Sequence, residues 1–137
     1  MINFIAEYVT QRVKAHEVSV LRNESLKSRS VYLTFDCGQA EFLRISDHHN
    51  TSHARYNLVI HDVTTHRVVV PTKYKDFNII KYYYTITDID SLITDIIKFV
   101  EARKKSIGEE QYYAFCNYAT KHKVGKSSGF WRNCKIV

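Results

Sequence analysis

The sequence predicts an α+β domain: an N-terminal helix, an antiparallel sheet of four or five strands, and two C-terminal helices packed on one sheet face. Three observations lead there. Apolar residues recur at spacings of three and four near both ends of the chain, they alternate with period two through the middle, and the two periods occupy separate stretches.

The first helix is read from Ile2 to His16, where Ile2, Ile5, Val9 and Val13 form one stripe, with Glu7, Gln11, Arg12 and Lys14 mostly elsewhere on the wheel. A polar stretch, Asn23 to Ser30, follows. Val31, Leu33 and Phe35 then alternate with Tyr32 and Thr34, and Glu41 to Ile45 alternates again across Asp36-Cys37-Gly38-Gln39, whose turn chemistry makes the two runs a hairpin. Tyr56 to Val63, Arg67 to Val70 and Asn78 to Ile86 supply further β-branched and aromatic runs, and Pro71 ends one of them because it has no N–H to donate. At Thr87 the helical period returns. Thr87-x-x-Asp90 has the spacing of a capping box, and Ile89, Leu92, Ile93, Ile96, Ile97 and Val100 form a wide stripe behind it. Gly108 interrupts, and Glu109 to Lys121 reads as another helix, with acids near its start and Lys and His near its end, as the helix dipole favours. Residues 1–122 are thus read as one domain. Residues 123–137 are read as a basic tail able to pack back through Phe130 and Trp131.

Composition agrees with one globular unit. The chain has 137 residues, 45% hydrophobic, 13% aromatic and 25% charged, enough for a packed core under an ordinary surface. One proline and four glycines leave no room for a linker-like or low-complexity chain. The best apolar run, Ser91 to Val100, is broken by Asp95 and Lys98, so no membrane span and a soluble protein are expected. The N-terminus lacks a basic segment followed by an apolar one, so no signal peptide is expected. Cys37, Cys116 and Cys134 are odd in number, widely spaced and without a CxxC pair, which fits a reducing compartment better than a disulfide framework or a zinc knuckle.

Charge is unevenly distributed. Of the net +6, residues 101–137 carry +5, from eight basic and three acidic side chains. Such asymmetry suits an acidic partner, either nucleic acid or an acidic protein groove, and it equally suits a solvated basic tail. Lys121, Lys123, Lys126, Arg132 and Lys135 are the candidate electrostatic footprint, with Arg29 and Arg44 as further candidate cations.

The polar concentration Arg44-x-Ser46-Asp47-His48-His49, followed by His53, His61 and His66, invites three readings. His49 and His53 stand four apart near Asp47, but zinc needs three or four convergent ligands and a supporting shell, so no metal site is expected. Asp47-His48-His49 faintly matches the start of a ββα-metal nuclease motif, yet a strand follows where that motif needs a loop and a metal-binding helix. Ser46 or Asp47 capping a turn is the third reading. Arg44, on the strand face opposite Leu43 and Ile45, would be placed to hold a phosphate or carboxylate through two N–H groups. Lys81-Tyr82-Tyr83-Tyr84 offers aromatic faces that can stack on unpaired bases, although tyrosine serves protein interfaces equally well. Cys37 beside Gly38 has no evident partner base. No Gly-rich phosphate loop, GxSxG or HExxH occurs, so binding is expected over catalysis, with no catalytic set and no cofactor.

The order SRSVYLTF, FLRISDHH, RYNLVIHDV, DSLITDIIKFVEARKKS and QYYAFCNYA resembles small proteins of phages and mobile elements. It is similar in order to a group of phage-encoded type II-A anti-CRISPR proteins, in which an Arg-hydrophobic-Ser-acid/amide-His segment precedes a strand and a long Ile/Lys-rich helix. Arg44, Ile45, Ser46, Asp47 and His48 match that segment, and the resemblance spans about residues 30–118. Those proteins open with a long Arg/Lys/Asn-rich arm, whereas this chain opens with an apolar helix. The resemblance implies a non-catalytic inhibitor of a Cas9-type effector that binds the protein or its guide RNA in the bacterial host cytoplasm. Arg44, Asp47 and His48 would then be a loop constellation beside the basic footprint. The alternative is a phage nucleic-acid-binding or metal-dependent nuclease-like protein.

Overall fold

In a computed structural model, the chain is described at residues 2–25, 27, 29–46, 53–59, 68–74, 77–126 and 129–137, the strands between residues 53 and 83 through their backbone. Helix α1 (Ile2–Lys14) leads into strands β1 (Val20–Ser25), β2 (Ser30–Phe35), β3 (Phe42–Ser46), β4 (His53–Val59), β5 (Val68–Tyr74) and β6 (Phe77–Thr85). Helices α2 (Ile89–Ile107) and α3 (Glu109–His122) follow, then a single helical turn, α4 (Phe130–Asn133), and a two-residue strand, β7 (Lys135–Ile136). The α+β class, the leading helix and the two long helices after the sheet are as the periodicity predicts.

The strands form one antiparallel sheet in the order β5-β6-β4-β3-β2-β1-β7. Its central register follows from alternation. Val31 pairs with Ile45 and Leu33 with Leu43, so the apolar members of β2 and β3 stand on one face, and all four are buried. Onto that face pack Ile5, Ala6, Val9 and Val13 from α1, Leu92, Ile96 and Val100 from α2, and Tyr112 from α3, making one core with Tyr84 of β6. Tyr84 is 1% exposed and donates its hydroxyl to Asp95 at 2.7 Å. It is therefore a core residue, and of the Tyr82-Tyr83-Tyr84 run it does not offer its face to a base.

Two strands exceed the sequence expectation, and each has a physical reason. In β1, Val20 belongs to the helix-side core while its neighbour Leu21 belongs to a second cluster, with Cys37, Ala119 and Cys134. Covered on both faces there and polar beyond, from Arg22 to Ser25, β1 carries no period of two. Strand β7 is too short for any period. It pairs Leu21 with Ile136 and Arg22 with Lys135, and so covers the outer edge of β1. The opposite edge strand, β5, does not end at Pro71 as expected but runs through it to Tyr74, because a proline without an N–H is tolerated on an edge strand that pairs on one side only.

The start of α2 also differs. A 3-10 turn at Ile86–Asp88 precedes it, and Asp88 at its N-cap makes no side-chain cap hydrogen bond. Asp90 instead accepts the hydroxyl of Tyr8 at 2.7 Å, tying α2 to α1. The expected strands over Tyr56 to Val63 and Arg67 to Val70 are present in their described parts, and residues 60–67 lie outside the described residues.

Leu43 is fully buried beneath α1, so Leu43→Ala is expected to cost about 3 kcal/mol through lost burial and an unfilled cavity. Urea denaturation checks this as a lowered midpoint at unchanged slope.

Candidate functional site

The turn after β2 holds a buried carboxylate. Asp36 is 2% exposed, and its Oδ1 accepts the Ser19 backbone N–H at 2.8 Å and the Ser19 hydroxyl at 3.1 Å. Its Oδ2 accepts the phenol of Tyr112. The Asp36 backbone joins in, with its N–H given to the Ser19 carbonyl at 2.9 Å and its own carbonyl accepting the Cys116 thiol at 3.2 Å. A carboxylate taken from water needs such donors, since leaving it unpaired costs several kcal/mol. Asp36 and Cys37 both sit in the left-handed region, at φ 47° and 53°, conformations that cost roughly 1–3 kcal/mol each and persist where surrounding bonds over-determine them.

These bonds dock α3. Tyr112, Cys116 and Thr120 lie at i, i+4 and i+8, one face of the helix, and all three meet the Asp36-Cys37 turn, the Cys37 sulfur lying 3.2 Å from the Thr120 hydroxyl. The chemistry of the turn is that of an anchor. Burial, reinforced by the Asp36 charge, pushes the Tyr112 phenol above its ordinary value and keeps it a donor. Burial and then Asp36 push the Cys116 thiol up to about 12, and burial also raises Cys37. Both shifts favour the protonated thiol over the thiolate that nucleophilic chemistry needs.

Held this way, α3 passes the end of the β1–β2 pair. Ala119, with Val124 beyond it, meets Leu21, Cys134, Phe130 and Trp131 on the sheet face opposite α1. The chain after α3 is folded back, with the Gly125 N–H on the Trp131 carbonyl at 2.8 Å and the Asn23 amide on the Phe130 carbonyl at 3.2 Å. Gly125 takes φ 72° to make the bend. Lys121, Lys123, Lys126, Arg132 and Lys135 are all exposed on this folded-back end. Two of them are ordered by their surroundings. Lys123 holds its ammonium 5.6 Å from the Trp131 ring, and Lys126 donates to the Lys121 carbonyl at 2.9 Å, a cation at the negative end of the helix dipole. No Asp or Glu follows Glu110 in the chain, so nothing acidic in this segment neutralises them.

The other candidates lie apart or are engaged. Arg44 faces away from Leu43 and Ile45 as expected, but its Nε donates to the Ser30 hydroxyl at 3.1 Å and its guanidinium lies 5.9 Å from the Tyr32 ring. It is half-buried and engaged within the sheet rather than presented openly. The register places Asn23 opposite Tyr32 and Tyr32 opposite Arg44, so Arg44 stands on the face over which the tail folds, two strands (about 10 Å) from Asn23. Arg29 is exposed in the β1–β2 turn at φ 48°, at the hairpin end away from Asp36. Asp47 and His48 lie outside the described residues. Among the described residues, no group of His, Cys, Asp and Glu is placed to hold a metal ion, and no helix is long and apolar enough to cross a membrane. No protein-family model matches the chain, and no curated protein or solved structure matches it either.

Residue reasoning missed two exposed rings. Phe115 and Tyr118 are 42% and 59% exposed, on the flank of α3 beside its buried face. The signal was present as Phe115, Tyr118 and His122 at spacings of three and four, out of phase with Tyr112, Cys116 and Ala119.

Near the same turn, Glu41 has its carboxyl raised from 4.5 to about 7 by burial, against the opposing pull of Arg103. A folded-state value above the unfolded one adds stability below about pH 4.5 that is lost as pH rises towards 7. Glu41→Gln is accordingly expected to raise the melting temperature at pH 8 and leave it nearly unchanged at pH 4, as read by circular dichroism melts across that range.

Proposed function

We propose that the protein is a non-catalytic binding protein that inhibits a Cas9-type effector, engaging its guide RNA through the cationic end of α3 and the folded-back tail. The observation that carries this reading is the set of five exposed cations on one packed segment that contains no acid. Lys and Arg fixed on a folded surface release counterions from phosphates, and this gives sequence-tolerant affinity for RNA. Such effectors carry a guide RNA, whose phosphates are the kind of anion a cationic surface takes. The resemblance of residues 30–118 to type II-A anti-CRISPR proteins supplies the identity of the effector, and the positive charge argues against a DNA mimic, which needs an acidic surface. Three free, buried cysteines suit the reducing cytoplasm of a bacterial host.

The test is a cleavage assay in which the protein is titrated into guide-loaded effector before target DNA is added. Cleavage is expected to stop near one protein per effector. Replacing Lys121, Lys123 and Lys126 together by Gln is expected to weaken binding and to lower the slope of log K against log salt by about one for each phosphate no longer neutralised. Undiminished cleavage at excess protein overturns the inhibitor reading. Degradation of nucleic acid by the protein alone with a divalent metal, abolished in His48→Ala, would identify the nuclease instead.

A further inference from the structure

Tyr118 and His122 form a ring pair on the outer surface of α3, with centroids 4.5 Å apart and planes inclined by 37°. Tyr118 is 59% exposed, and Phe115, 42% exposed, stands one turn earlier on the same side. The three rings form a stripe that flanks the buried face of the helix, whose closely packed positions are Tyr112, Cys116 and Ala119. Two cations lie at the C-terminal end of the stripe. Lys121 is the i+3 neighbour of Tyr118, and the Lys126 ammonium is held at the Lys121 carbonyl, within one turn of the ring pair.

We infer that the Phe115, Tyr118 and His122 face of α3 is a stacking ledge for unpaired bases, with Lys121 and Lys126 holding the adjoining phosphates, so that the partner at this end is single-stranded RNA rather than duplex. This rests on the proposed binding function and names the form of nucleic acid that the cationic end takes. Charge alone would suit an acidic protein surface as well. The pairing of exposed flat rings with adjoining cations favours bases, since every base has a π-face to stack beside its phosphate, and the peptide arm of the test weighs this against an acidic protein surface. Duplex RNA offers its phosphates but keeps its bases stacked on one another, so it can use the lysines and not the ledge.

The experiment measures fluorescence anisotropy of a labelled twelve-nucleotide oligouridine, of an RNA duplex of the same length and of a poly-glutamate peptide, titrated with the full chain. The single strand is expected to bind more tightly than the duplex, with the peptide weakest. Tyr118→Ala is expected to weaken single-strand binding roughly tenfold and duplex binding hardly at all, while Tyr118→Phe keeps the native affinity. Lys121→Gln with Lys126→Gln should weaken both RNAs and flatten the salt dependence. Tyr118 is exposed on a helix, so an unchanged melting temperature will show that its variants are folded. The ledge is overturned if Tyr118→Ala binds as the native chain does, if the duplex binds as well as the single strand, or if the peptide is preferred. Effector inhibition that persists without RNA binding would also overturn the ledge and leave the inhibitor reading standing.

Discussion

The buried carboxylate of Asp36 is the constraint on which the functional half of this protein depends. Taken out of water at the end of β2, it is satisfied by Ser19 ahead of β1 and by Tyr112 on α3, two segments far apart in sequence. Partial satisfaction would be worse than an apolar turn, so the three segments are committed to one another. The two left-handed residues of the turn aim the Asp36 carbonyl and the Cys37 sulfur at the same helix face, adding Cys116 and Thr120 to the contact.

Much of the C-terminal architecture follows from that docking. Helix α3 belongs to the helix-side core through Tyr112 and Cys116 and to the opposite-side cluster through Ala119, so it links the two sides at the strand ends where β2 meets the Asp36 turn. From there the tail reaches the far face, where the Phe130 carbonyl meets Asn23, and β7 then pairs with β1. The same turn of helix that buries Ala119 turns Tyr118, Lys121 and His122 outward. Core packing and the candidate binding surface are thus two sides of one element, and the cations owe their grouping to a hydrogen-bond network that none of them touches.

The fold was legible where one side of an element is apolar and the other wet. Ile5, Val9 and Val13, the β2–β3 alternation, and Leu92, Ile96 and Val100 all announce their periods. Strand β1 did not, because Val20 and Leu21 are buried on opposite faces, and β7 did not, because two residues have no period. Of the site, the lysines and the arginine of the tail were visible as uncompensated charge. Their grouping was not visible, since it depends on the Gly125 bend and on a hydrogen bond between residues 23 and 130. Arg44 was placed on the correct face, but its hydrogen bond to Ser30 and its packing on Tyr32 are cross-strand relations that only register reveals. Tyr118 was overlooked because a ring in an amphipathic helix reads as core unless its phase is compared with that of its buried neighbours.

If the Asp36 network positions the cationic end, loosening it should release α3 and the tail together while the helix-side core stays intact. Amide hydrogen exchange followed segment by segment in the native chain and in Tyr112→Phe tests this most directly, because phenylalanine keeps the ring volume and removes only the phenol donor. Removing a bond worth about 1–3 kcal/mol at a buried acceptor should raise the opening rate roughly ten- to hundredfold across α3 and residues 129–136, leaving α1 and the β2–β3 pair at native protection. Unchanged exchange in α3, or a uniform loss of protection through the whole sheet and α1, would contradict the account.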